Sequence, residues 1–193
     1  MNNDWILPMT ISWKLSKTVG RFIHRFARDQ QGIAATEFAL VLPIMLTLFG
    51  GAVELSNFLT VERKVLSVVQ TTADLIGQET DISASDISDI YSATSQILDP
   101  YPTTGLSIGV SSVVFDEDTA AASEDWTSSY NGGSVSSATT LAADFEEAGK
   151  SVIIVNVQYT YNPILTLVMT SSRTITETAY ARPRKVDSVN YSG

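Results

Sequence analysis

The chain contains no cysteine and a single histidine, His24, and these two shortages remove most familiar chemistry from consideration. Without thiols there is neither a disulfide framework nor a zinc-thiolate site, so the fold must hold by packing alone. The lone histidine precedes the long apolar run, so the body of the chain has no histidine for a Ser-His-Asp or Cys-His centre. Histidine-based zinc sites fail for the same reason. No glycine-rich phosphate loop followed by lysine is present either. The sequence therefore predicts no catalytic residue, no cofactor and no metal site.

Positive charge is scarce outside the first 32 residues. That head carries Lys14, Lys17, Arg21, Arg25 and Arg28 against Asp4 and Asp29, a net +3. The remainder carries a net −12, giving −9 for the 193 residues. An acidic body argues against nucleic acid as a partner, because neutralising phosphates needs a basic surface on the folded part. A basic head and an acidic body fit a head at the cytoplasmic leaflet with a body kept soluble on the far side. Arg63 and Lys64, beyond the apolar run, soften that asymmetry slightly.

The feature that is plentiful is the apolar run itself. Ile33 to Leu55 is a helix-length stretch of about 35 Å, against roughly 30 Å of membrane hydrocarbon. Its uncharged part, Phe38 to Val53, is bracketed by Glu37 and Glu54. Glu54 can sit at the interface; Glu37 is costly in a membrane unless it snorkels or is paired. Pro43 leaves the Ala39 carbonyl without its helical donor, which predicts a kink or local melting. Gly50-Gly51 offers a flat patch where another helix could approach closely. No small-residue cleavage site of the secretory kind follows the run, so a candidate cut lies before it.

Downstream, Phe58, Leu59, Glu62, Val65, Leu66, Val69, Ala73 and Ile76 recur at helical spacing, predicting an amphipathic continuation closed by Gly77. A second helix is expected from a cap at Ser85, with Ile87, Ile90, Tyr91, Thr94, Ile97 and Leu98 on its face and Pro100 ending it. The period then changes. Leu106–Phe115 reads as a strand, residues 126–130 as a short second strand or turn, and 141–148 as one or two helical turns. Ser151–Tyr161 is the strongest strand, and Arg173–Arg182 alternates again and is its plausible partner. The expected class is α+β: a long N-terminal transmembrane-plus-amphipathic helix, a second helix, then an antiparallel sheet. The divisions are a 1–32 basic cytoplasmic leader or tail, a 33–55 transmembrane helix, a 56–185 periplasmic domain and a 186–193 polar tail.

One acidic cluster remains as candidate chemistry: Asp116, Glu117, Asp118, Glu124 and Asp125. It lacks the spacing and turn glycine of an EF-hand and falls in a hairpin loop, so a solvated loop is the favoured reading. Weak Ca²⁺ binding and carboxylate acid–base work are its rivals. Trp126 reads as a core or hairpin anchor.

The stretch around Gly32, G-IAATEF-AL-VLP, resembles the N-terminal motif of type IV pilin-like proteins, and in particular the TadE-like minor pseudopilins of tight-adherence (Tad, Flp-type) pilus systems. VIIVNVQYTYNP and ITETAYARPR are similar to the body of that family. The resemblance implies a pilin-like layout and cleavage by a prepilin peptidase between Gly32 and Ile33. It also implies that Glu37, followed by Phe38, neutralises the new amino group of a neighbouring subunit's Ile33. Pro43, Gly50 and Gly51 would join these residues in helix packing. The implied setting is the bacterial inner membrane, crossed once, with the N-terminus cytoplasmic and the C-terminal domain periplasmic. The implied partners are other pilus-assembly subunits: pilin, pseudopilins and platform proteins. The leader is long for a prepilin, and Gln30-Gln31 add no charge before the glycine. The same EFALVLP signature leaves open an uncleaved TadG-like envelope structural protein. A signal-anchored periplasmic carboxylate enzyme is the further rival.

Overall fold

The structure is a computed structural model that describes residues 30–193; the basic head, with His24, lies outside the described residues. The described residues divide into two units, the first ending at Phe49 and the second spanning Gly50–Gly193. The architecture is a long apolar N-terminal helix, a short helix and an antiparallel sheet, as the α+β reading expects.

Helix α1 spans Gln30–Gly77. It passes through Pro43 without a break, so the local melting expected there does not occur. In the second unit the buried face of α1 runs through Glu54, Val61, Val65, Val68, Val69, Thr72, Ala73 and Ile76. This stripe is rotated from the one read in the sequence: Leu59 and Leu66 are exposed, and Val61 and Val68 take the core. Either set obeys helical spacing, and only the shape of the opposing sheet selects the β-branched one.

Strand β1 (Asp81–Ser83) leads into α2 (Ala84–Ser95). The cap is Ser83 rather than Ser85. Its hydroxyl accepts the Asp86 N–H, while the Asp86 carboxylate accepts the Ser83 N–H, forming a reciprocal capping box. Asp86 at the third helical position makes the difference; Ser85 has no such partner in sequence. The helix tightens into a 3-10 turn, Gln96–Leu98, and stops before Pro100. Lys64 on α1 donates to the Ile97 and Asp99 carbonyls, both at 2.8 Å, tying this turn to α1.

Strands β2 (Leu106–Phe115), β3 (Ala122–Tyr130), β4 (Ser151–Tyr161) and β5 (Arg173–Ala181) form one sheet in the order β3-β2-β4-β5, with antiparallel neighbours. One sheet face supplies Leu106, Ile108, Val110, Val155, Val157 and Tyr159 to the main core against α1 and α2. The other face, with Val113, Phe115, Val152 and Ile154, holds a smaller core under α3 (Ala138–Ala142). The continuous apolar run of β4 follows from burial on both faces.

Strand β3 reaches both cores through a bulge. Ser112 pairs with Trp126 but Val113 pairs with Glu124, so Asp125 is the extra residue. Without it Ala122 and Trp126 would share a face; with it Trp126 enters the main core and Ala122 packs on the smaller one. Residues 186–193, read as a polar tail, are instead part of the fold. Val189 is fully buried, and β6 (Asn190–Ser192) pairs in parallel with β1. Trp126 Nε1–H donates to the Val189 carbonyl at 2.9 Å, and the indole stacks on Tyr191 at 5.2 Å.

Candidate membrane-anchor and assembly site

From Gly32 to Phe49 every residue of α1 is exposed. Leu40, Leu48 and Phe49 each expose 70% or more. Apolar side chains displayed on all sides of a helix have no protein core to enter, and a bilayer is the solvent that suits them. Helix α1 is the one described helix long and apolar enough to cross a membrane. Thr36 and Thr47 return their hydroxyls to the carbonyls of Ile33 and Pro43 at 2.8 Å, so neither leaves a free donor on the apolar surface.

The residues singled out in the sequence lie along this helix. Among the described residues, nothing lies within 4 Å of where a Cβ on Gly32 would sit. Ile33 and Phe38 are exposed, as is Glu37, which makes no ion pair among the described residues. Pro43 sits inside the helix. These positions share one helix but meet no common partner among the described residues.

Gly50 and Gly51 belong to the second unit and do have a neighbour. A Cβ on Gly50 would come within 2.3 Å of Leu167 Cδ1, and one on Gly51 within 2.8 Å of Val168 Cγ2. The close approach that the glycine pair permits is made by the β4–β5 loop of the same chain.

Glu54, one turn further on, was given only an interfacial position by the sequence. It is 1% exposed, and its Oε2 accepts the N–H groups of Val168 at 2.7 Å and Met169 at 3.3 Å. Its Oε1 has no partner among the described residues, and neither does the buried Tyr161 hydroxyl. Burial pushes the Tyr161 hydroxyl above its ordinary pKa, with Tyr101 and the Glu54 carboxylate adding to the shift. Tyr161 also sets its ring edge-on to Phe58 at 5.6 Å. Spacing could not reveal the Glu54 contact, because its partners lie 114 and 115 residues away.

The acidic cluster is dispersed. Asp116 folds back on the N–H groups of Asp118 and Thr119, which together with the Thr119 hydroxyl hold its carboxyl below the usual range. Glu124 lies on β3, where it accepts the Ser111 hydroxyl at 3.1 Å. Among the described residues no group of three or more acids or histidines converges as a metal cage. Of the four cations lining one cleft, Lys150, Arg182 and Arg184 pair with Asp187, Glu147 and Asp74, and Lys185 is the fourth.

Residues 32–74 match the model of a protein family described as TadE-like protein. No curated protein and no solved structure matches the chain. The match begins at Gly32 and ends at Asp74, three residues before α1 does. Over this segment, the helix that carries every residue singled out for assembly, the chain is similar to the TadE-like family, which points to a Tad pilus-associated subunit.

Proposed function

We propose that the chain is a single-pass inner-membrane subunit of pseudopilin type that serves assembly of a Tad-type pilus. The N-terminal side is cytoplasmic and the sheet domain periplasmic. The observation that carries this reading is that the TadE-like match, residues 32–74, takes in the fully exposed apolar stretch of α1, residues 32–49. The work is done by packing in the membrane rather than by catalysis, with pilin, pseudopilin and platform proteins as partners.

Gly32 supports processing by its cost. Glycine inside a helix is about 1 kcal/mol worse than alanine, and among the described residues no neighbour requires the missing side chain. Recognition by a prepilin peptidase gives the position a reason. Cleavage after Gly32 creates an ammonium on Ile33, and Glu37 is the carboxylate nearest to it along the apolar helix. Pairing that carboxylate with the ammonium of a neighbouring subunit offsets the cost of holding each charge in lipid. Phe38 and Pro43 would shape the surface on which that neighbour packs.

Co-expression with a prepilin peptidase, followed by intact-mass measurement, tests the reading. The expected product begins at Ile33, and Gly32→Ala blocks its formation. A chain whose mass is unchanged by the peptidase is the uncleaved envelope protein instead.

A further inference from the structure

Between β4 and β5 the chain takes a detour through residues 162–172, none of which is charged. Ile164, Leu165, Leu167 and Val168 are 73, 45, 49 and 62% exposed. A surface loop is ordinarily polar, and a contiguous exposed aliphatic patch marks a surface that is covered in use. The loop is nevertheless seated. Glu54 takes the Val168 and Met169 N–H groups, Leu167 lies over Gly50, Val168 lies against Gly51, and Met169 packs on the main core.

What it is seated against identifies the cover. Gly50 and Gly51 belong to the uncharged stretch Phe38–Val53, the part of α1 that reads as membrane-spanning. We propose that residues 164–168 form a second membrane contact, a loop that inserts its aliphatic side chains into the periplasmic leaflet beside α1. The inference rests on the reading of α1 as a membrane span.

Three features fit lipid better than protein. The large exposed side chains of residues 164–168 are Ile, Leu and Val, with Thr166 between them and none of the Trp, Tyr or Arg anchors that dominate protein interfaces. Irregular backbone near hydrocarbon needs its N–H groups satisfied from within the protein, which Glu54 does for two successive residues. Arg173, exposed at the start of β5, supplies a cation next to the loop at headgroup level. With two attachments, α1 and the loop, the domain is fixed in depth and orientation instead of swinging on a single helix. A subunit that must present one face to its neighbours gains from that constraint.

The absence of cysteine makes the test direct. The full chain is placed in vesicles of phosphatidylethanolamine and phosphatidylglycerol carrying spin-labelled acyl chains. A polarity-sensitive fluorophore is attached in turn to Leu165→Cys, Leu46→Cys and Thr119→Cys. Lipid quenching and a blue shift at both Leu165 and Leu46, with neither at Thr119, is the expected result. Quenching at Leu46 but a water-like signal at Leu165 overturns the loop insertion while leaving the anchor intact. A water-like signal at Leu46 removes the anchor reading, and the inference with it. Shielding of Leu165 that needs added pilus subunits makes the cover a protein and also overturns the proposal. In the Leu165→Cys background, Glu54→Ala is expected to lose the quenching, and Glu54→Gln, which keeps a carbonyl acceptor, to retain it. Unchanged quenching in Glu54→Ala overturns the seating role of Glu54.

Discussion

The Glu54 carboxylate accepts the backbone N–H of Val168 at 2.7 Å, joining the last acid-bracketed turn of the apolar run to a hairpin loop 114 residues later. A buried carboxylate is costly unless it is hydrogen-bonded, and two N–H donors from one loop segment meet that need at Oε2. Glu54→Ala is expected to destabilise the chain by about 1–3 kcal/mol, since it orphans two backbone donors. Hydrogen exchange at Val168 and Met169 should accelerate before exchange anywhere in β4 does. Equal protection in the variant would separate the loop from Glu54.

Gly109 on β2 marks a close approach of backbone to backbone. A Cβ there would lie 2.5 Å from the backbone of Ser134, and one on Gly133 would lie 2.3 Å from that of Ile108. Neither neighbour is a side chain that can swing aside. Gly109→Ala is therefore expected to cost about 1–3 kcal/mol through displacement of the 131–137 loop, measured by denaturant unfolding. A neutral result would show that the loop moves freely off β2.

The strands that were legible in the sequence are those whose neighbours demand one pattern. β2 and β4 show their bounds because β-branched residues fill them and turn residues flank them. The pairing of β4 with β5 is likewise visible as alternation on both sides of Asn162-Pro163. Where two patterns fit equally, the sequence is silent: Leu59 and Leu66 obey the same period as Val61 and Val68. Long-range pairings of short polar segments are also hidden. Nothing in Asn190-Tyr191-Ser192 announces a strand, because its partner β1 is three residues long and about as polar. At the candidate site, Gly32, Glu37 and Pro43 could be picked out by motif, whereas Glu54 could not, since its significance lies in the fold.

Trp126 is the rivet that holds the C-terminal segment. Trp126→Phe keeps an aromatic ring against Tyr191 but removes the donor to the Val189 carbonyl, which then lies buried without it. A loss of about 1–2 kcal/mol is expected, together with faster hydrogen exchange along β6 and β1. Unaltered exchange there would mean that β1 pairing alone retains the segment.

The capping box of α2 gives an acid-side prediction. The Ser83 hydroxyl and N–H both hydrogen-bond the Asp86 carboxylate and hold its pKa below the ordinary value. A lowered folded-state pKa means stability that is present above the unfolded value and lost as pH falls through the folded one. Thr119 and Asp118 act on Asp116 with the same sign. Acidification should therefore loosen α2 and the 116–121 turn. Asp86→Asn should flatten the pH dependence for α2 while leaving that of the turn unchanged, as read by amide shifts across a pH titration.

The central claim is that α1 is an assembly surface whose working acid is Glu37. The most direct measurement is surface piliation of the native host lacking this chain, complemented with the wild-type chain or with Glu37→Gln. The account predicts that the wild type restores pili and that Glu37→Gln does not, although both reach the membrane in equal amount. Normal piliation with Glu37→Gln, or in the host without the chain at all, would contradict it.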